Sequence, residues 1–284
     1  MASCAPVVNR RTSALCQCQQ AGYQPAAGYQ PAPQSTNTAV PFDTVAESYD
    51  QQWTSTPIGR AQRELVWRHV DSLFHPGERI LDVGCGTGVD AAHFVEMGVR
   101  VHATDPSPAM IEVARRRGGF TAEVLRAEEI ASIKGMFDGA ISNFGALNCV
   151  DDLGAVARGM GNVVRPGGRV AICTIGRFCL WESVYYAVRG QFGKAFRRLR
   201  GSAPSLLGVT VHYPSVAELR SAFANFELES WTGIGLFVPP SYVGMPGWLV
   251  RWCSVLDRAL APVPLLRAMA DHRLLIFVRT PHAR

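Results

Sequence analysis

From residue 42 onward, short apolar runs alternate with stretches in which apolar side chains return every three or four positions. The runs at 79–84, 99–105, 122–127, 137–143 and 168–174 are short and rich in Val, Ile, Leu and Ala, so each predicts a buried strand. Helical spacing lies between them. One such segment carries Leu153, Val156, Met160 and Val163 or Val164 on one face, with Asp151 as its expected N-cap and Pro166, Gly167 and Gly168 turning the chain into the fifth strand. This alternation predicts a doubly wound, Rossmann-like α/β sheet. After 174 the rhythm breaks into an insertion at 175–213, a helix expected from near Ser215, and two further strands at 226–237 and 273–279. The expectation is a sheet of about seven strands, mostly parallel with one antiparallel strand at the C-terminus, plus a helical cap from the insertion. Trp248, Trp252, Leu256 and Leu260, in the apolar segment 246–269, are expected to pack against the sheet.

Residues 1–41 differ in kind. They are rich in Gln, Pro, Ala and Ser, and AGYQPA occurs at 21–26 and again at 27–32. Such a segment buries too little apolar surface to order itself and is expected to be a disordered low-complexity tail. An organelle transit peptide is the alternative, since Arg10 and Arg11 are present and no acid precedes Asp43.

With 284 residues, 48% apolar and 18% charged, the chain is long and apolar enough for a full core, which excludes global disorder and a fibrous fold. The uncharged stretch near 172–188 is broken by Arg177 and Glu182, and that near 233–250 by Pro239, Pro240 and Pro246, so neither reads as a membrane span. No secretory apolar core is present near the N-terminus, and a cytoplasmic protein is expected. The eight cysteines form no Cys-x-x-Cys and read as reduced thiols. Cys16 and Cys18 have no His or acid nearby, and no metal site is expected.

The motif that carries chemistry is ILDVGCGTG at 80–88, a strand running into a glycine loop that opens a helix at Val89. Glycines at 84, 86 and 88 let the backbone turn sharply and approach a ligand. Asp105, at the end of the second strand, then lies beside the loop at the carboxyl edge of the sheet, placed to accept the hydroxyls of a ribose. The spacing departs from G-x-G-x-x-G, because the third glycine comes one residue early. Asp82, just before the loop, would repel a pyrophosphate and attract a cation.

On these residues the sequence resembles the class I S-adenosylmethionine-dependent methyltransferases, particularly the small-molecule group similar to ubiquinone-biosynthesis and biotin-synthesis methyltransferases. The resemblance is specific over 42–174 and looser to 280. It divides the domain at 42–284 into a cofactor-binding half at 42–174, the cap insertion at 175–213, and a C-terminal strand pair with an intervening helical segment at 214–284. It implies that Asp82, Gly84, Cys85, Gly86 and Gly88 hold the methionine part of S-adenosyl-L-methionine and Asp105 the ribose. Pro106 and Met110 would line the adenine, with Ala127 and Glu128 at its edge, and Asn143 and Phe144 would stand next to the sulfonium. The segment FDTVAESYD at 42–50 looks like the family's N-terminal fold-over, with Tyr49 as a contact. Many relatives carry an acid where this chain has Arg126, so the adenine amino group would need Glu128 or a backbone partner. An NAD(P)-dependent oxidoreductase and a noncatalytic S-adenosylmethionine-binding regulator remain open beside this reading.

The acceptor is expected to be a small molecule. Asn143 is followed by Phe, Gly and Ala, so the signature of amino methylation on planar amides and adenine is absent, as is a Pro-Cys nucleophile for cytosine. The general-base candidates are His212 and Tyr213, where the insertion returns to the core, followed by His102 and His93. The net charge of +5 is concentrated in residues 175–213, which hold Arg177, Arg189, Lys194, Arg197, Arg198 and Arg200 against Glu182 alone. The apolar face of Trp181, Val184 or Tyr185, and Val188 is expected to cover the cleft while the arginines meet solvent or an anionic acceptor. Nucleic-acid and peripheral-membrane contact are weaker alternatives, since no added RNA-binding module is visible.

Overall fold

The computed structural model describes residues 41–281, so the tail expected at 1–41 lies almost entirely outside the described residues, and Cys16 and Cys18 lie wholly outside them. The described chain opens with α1 (Ala46–Tyr49), a π-turn at Asp50–Thr54 and α2 (Pro57–Val70). Strand and helix then alternate through β1 (Arg79–Val83), α3 (Val89–Glu96), β2 (Arg100–Asp105), α4 (Pro108–Arg117), β3 (Thr121–Val124), β4 (Phe137–Ser142), α5 (Leu153–Val163) and β5 (Val164–Ile175). The insertion contributes α6 (Leu180–Ala187), α7 (Phe192–Ala195), β6 (Ser202–Pro204) and β7 (Thr210–His212). The chain closes with α8 (Val216–Ala222), β8 (Phe226–Ile234), α9 (Gly247–Leu260), α10 (Pro264–Arg267) and β9 (His272–Arg279).

Seven strands form one sheet in the order β3-β2-β1-β4-β5-β9-β8. The first five pair in parallel, and β9 runs antiparallel to both β5 and β8. The expected seven-stranded mixed sheet is therefore present. Alternation along each strand divides the core between the two faces. Ile80, Ala171, Cys173 and Ile276 pack on one side with Val66, Val70, Phe74 and Phe94. Leu81, Val170, Ile172, Leu275 and Phe277 pack on the other with Met160 and Phe223.

Several local expectations shift. The α5 cap is Asp152, whose Oδ1 accepts from the Ala155 N–H at 2.9 Å, rather than Asp151. Residues 166–168 form a bulge inside β5: Phe137 pairs with Val164, while Gly139 pairs with Arg169. Ser215 caps α8 in a full capping box with Glu218. The insertion is not wholly helical, since β6 and β7 form a two-stranded antiparallel hairpin within it. The expected packing of α9 is corrected as well. Its buried side holds Val250, Cys253 and Asp257, whereas Trp248 and Trp252 are 65% and 66% exposed. Periodicity identified the stripe, but α9 already buries a second stripe against α2, which leaves the tryptophans facing outward.

Candidate functional site

The carboxyl edge of the parallel strands carries the site. β1 ends at Val83 and the chain turns through Gly84, Gly86 and Gly88, all at positive φ. A Cβ on Gly84 would stand 2.3 Å from the Ala146 Cβ, so this glycine is required by packing. A Cβ on Gly86 would meet nothing within 4 Å, which leaves open space above the loop. The loop is held from β2: the N–H groups of Gly84 and Cys85 donate to the Thr104 carbonyl at 2.7 and 2.9 Å. Asp105 supports it from the side, accepting from the Gly86 N–H on Oδ2 and the Ser107 N–H on Oδ1, both at 2.9 Å. Burial pushes the Asp105 carboxyl up to about 6 against the pull of these two N–H groups.

Beneath the loop lies Asp82, 1% exposed, whose Oδ2 has no hydrogen-bond partner. Burial, with the charges of Asp90 and Asp105, drives its carboxyl well above the ordinary value of 3.8, only partly offset by Arg63. A buried, unpaired carboxylate oxygen is costly unless a donor completes it. An ammonium group at the open loop is such a donor.

A second cluster was not anticipated from the sequence. Asp90, in the first turn of α3, pairs with Arg63 at 2.5 Å and accepts from Trp67 Nε1 at 2.8 Å and from Asn143 Nδ2 at 3.1 Å. Asn143 in turn accepts the Phe144 N–H on Oδ1 at 2.9 Å. Phe144 has φ 47°, the single positive value outside glycine among the described residues. Such strain in a bulky residue persists only where its surroundings fix it. The Arg63 guanidinium lies 4.8 Å from the Phe144 ring centroid, and the His272 ring meets it edge-on at 5.4 Å. An acid in the first turn of the helix after the glycine loop was the available signal for Asp90; Arg63, on α2, had none.

The N-terminal segment folds over this edge. The Ser107 hydroxyl donates to Asp43 at 2.5 Å, the Thr87 hydroxyl donates to Asp50 at 2.7 Å, and Arg117 also pairs with Asp50. Tyr49 lies between these anchors; burial raises its phenol, with Arg63, Asp105, Asp50 and Cys149 as its charged or polar neighbours. Met110, on α4, is 2% exposed, and Pro106 is half-buried. Ala127 starts a 3-10 turn, and the Glu128 carboxylate accepts from the Asp151 N–H at 3.3 Å and from Arg126 at 3.4 Å.

The expected bases each have their own partners. His212 has its backbone carbonyl held by Asn148 at 2.6 Å and its Nε2 buried 3.8 Å from Asp151. Burial raises the Tyr213 phenol, which suits it poorly to accept a proton near neutrality. His102 pairs with Glu123, and His93 stacks on Trp67 while pairing with Asp71. Arg197 and Arg198, expected to face solvent or an acceptor, are instead drawn inward. Glu182, 1% exposed, accepts from both of them and from Tyr242, and Arg198 also pairs with Asp271. Two buried acids neutralise the pair, because an isolated buried guanidinium would be far costlier. The five cysteines among the described residues are all free thiols.

The fold brings glycines and buried carboxylates together at the carboxyl ends of the parallel strands, without the glycine spacing of a pyrophosphate cradle. Residues 80–168 match the family model described as a methyltransferase domain. Over 138 residues the chain is 35% identical to a demethylmenaquinone methyltransferase of Clavibacter sepedonicus, covering 46% of this chain and 55% of that protein. Over 169 residues it is 32% identical to a ubiquinone biosynthesis O-methyltransferase of Methylocella silvestris, covering 58% and 63%. A solved S-adenosylmethionine-dependent methyltransferase from Mesorhizobium loti shares the fold at TM-score 0.52 and 21% identity, over 75% of this chain and 97% of that one. Over residues 80–168 the chain is thus similar to methyltransferase domains, and it shares the Rossmann-like fold of solved S-adenosylmethionine-dependent methyltransferases. It spans somewhat more than half the length of these curated relatives.

The residues present fit that cofactor. The unpaired Asp82 oxygen and the open space over Gly86 are the two features a cationic amino acid moiety would fill.

Proposed function

We propose that the protein transfers a methyl group from S-adenosyl-L-methionine to a small-molecule acceptor. The observation that carries this reading is the unpaired, buried Oδ2 of Asp82 under an open glycine loop whose Gly86 is bound to Asp105. Asp82 and the loop at Gly84, Cys85, Gly86 and Gly88 would hold the methionine part, and Asp105 would accept the ribose hydroxyls on its remaining lone pairs. Pro106, Met110, Ala127 and Glu128 would surround the adenine. When bound, the cofactor supplies an electrophilic methyl group on a sulfonium. The protein's part is to orient the acceptor, exclude water and take up its proton. Tyr49 and the segment pinned through Asp43 and Asp50 would cover the site, and Asn143 and Phe144 would form its floor beside the acceptor.

The glycine spacing and the acid at 82 speak against a dinucleotide ligand. The names of the two curated relatives point to quinone-related acceptors, and we extend that class to this chain. An anionic acceptor loses the support of Arg197 and Arg198, whose charges are balanced within the protein. Incubation of the full chain with methyl-tritiated S-adenosylmethionine and a panel of demethylmenaquinols, catechols and dicarboxylates tests the reading. Label in an extractable product, with one S-adenosylhomocysteine formed per methyl, is expected. Binding of S-adenosylhomocysteine without turnover of any acceptor would mark a noncatalytic binder.

A further inference from the structure

Because β9 alone runs against the other strands of the sheet, it begins where the parallel strands end. Its first residue, His272, pairs with Ile175 at the end of β5 and with Ile234 at the end of β8, at the same edge as the glycine loop. Its ring stands edge-on to Phe144, centroids 5.4 Å apart at 87°, immediately beyond Asn143. The side chain is 12% exposed. Nδ1 is buried with no hydrogen-bond partner and lies 3.4 Å from Asp271 Oδ2, which leaves Nε2 as the nitrogen available to a ligand.

Asp271 is fixed behind the ring. Its Oδ1 pairs with Arg198 at 2.8 Å, and its Oδ2 accepts from Gln62 at 3.4 Å. Its backbone is tied at both ends: the N–H donates to the Gly235 carbonyl at 3.0 Å, and the carbonyl accepts from the Gly176 N–H at 2.8 Å. The negative charge of Asp271, 3.4 Å from Nδ1 without a hydrogen bond between them, favours a proton on Nδ1 over one on Nε2 and so leaves the lone pair on Nε2.

We propose that His272 is the general base of the transfer, accepting on Nε2 the proton of a weakly acidic hydroxyl of phenol or enol type, with Asp271 as the positioning residue. This rests on the methyltransferase reading above. The acceptor O–H bond breaks and its proton binds Nε2. The oxygen lone pair forms the new bond to the methyl carbon, and the electrons of the broken carbon–sulfur bond stay on sulfur as a thioether. The imidazolium then returns its proton to water. A carboxylate acceptor has no need of such a base at neutral pH, whereas a phenol retains its proton there. Burial and Arg198 lower the ring below its ordinary value of 6.5, and Asp271 opposes them, so the imidazole is neutral near pH 7. Arg63, over the Phe144 ring, is the other charge near this face.

The test uses the full chain with ring-15N histidine, in which His272 is assigned among the seven histidines by its loss in His272→Gln. Long-range 1H–15N correlations are expected to show a neutral Nδ1–H tautomer at pH 7 that titrates below 6.5 and shifts when S-adenosylhomocysteine is added. An Nε2–H tautomer, or a ring protonated at pH 7, overturns the base assignment whatever the acceptor proves to be. In parallel, H272Q should bind S-adenosylhomocysteine within about twofold of wild type yet lose methyl transfer to catechol by roughly 100-fold or more, with the acid limb of the pH profile gone. Transfer to catechol by H272Q at the wild-type rate also overturns it. Failure of the wild-type chain to bind S-adenosylhomocysteine sinks the methyltransferase reading and the base with it. An intact isotherm with the wrong tautomer sinks the base alone.

Discussion

Arg198 in the insertion and Asp271 ahead of the last strand form a buried ion pair, Nη2 to Oδ1 at 2.8 Å, across 73 positions of sequence. Glu182 holds the same guanidinium at 2.8 Å, so removing Arg198 would leave two buried acids without their partner. Arg198→Met is therefore expected to lower unfolding free energy by about 3–5 kcal/mol in urea titration. A loss under about 1 kcal/mol would mean that the pair is solvated.

Acid should act on stability in two opposing stages. Against the upward push of burial, Glu182 is held below its unfolded value chiefly by Arg198, and Asp271 by His272 and Arg198, so their contribution is complete above 4.5 and lost as pH falls through their lower folded values. Asp105 has the opposite sign. Its folded value of about 6 exceeds 3.8, so the folded state gains as pH falls between those values. The urea midpoint should hold or rise from about pH 7 to about 5 and drop steeply below about 4. Asp105→Asn should reduce the rise, leaving the part that Asp82 contributes with the same sign, and keep the drop.

The same carboxyl sets the pH dependence of cofactor binding. A proton on Asp105 removes an acceptor for ribose hydroxyls, so S-adenosylhomocysteine affinity should fall with acid below about 6, up to roughly tenfold per pH unit. D105N should bind weakly and lose the part of that dependence that Asp105 carries. An unchanged affinity down to about pH 5 would place the ribose elsewhere.

The two glycines should separate folding from binding. Gly84→Ala forces a Cβ to 2.3 Å from Ala146 and should destabilise the protein by roughly 2–4 kcal/mol, combining overpacking with left-handed strain. Gly86→Ala meets open space and should cost only about 1–2 kcal/mol of strain, while reducing S-adenosylhomocysteine affinity more than Gly84→Ala reduces it in the surviving folded fraction. Thermal melts and calorimetry on both variants check this.

Much of this arrangement was legible in the sequence because the strands are short, apolar and separated by helical spacing, and because ILDVGCGTG at 80–88 and Asp105 are local signals. The antiparallel direction of β9 was expected, but its bringing of His272 to Phe144 was not, since that contact joins residues 128 positions apart through the sheet. The reading of Arg197 and Arg198 as outward charges failed for a similar reason. Glu182 was visible as a single acid among six bases, but its burial and the arrival of Asp271 depend on how the insertion folds back. Helical periodicity likewise gave the Trp248 and Trp252 stripe without saying which stripe of α9 faces inward.

We propose that the glycine loop with Asp82 and Asp105 holds S-adenosylmethionine. Calorimetric titration of the full chain and of Asp82→Asn with S-adenosylhomocysteine, and of the full chain with NAD, tests it most directly. One-to-one binding of S-adenosylhomocysteine, weakened by at least about tenfold in D82N, or about 1.4 kcal/mol, with no saturable heat from NAD, is the predicted result. Saturable NAD binding without S-adenosylhomocysteine binding, or an isotherm indifferent to D82N, would contradict it.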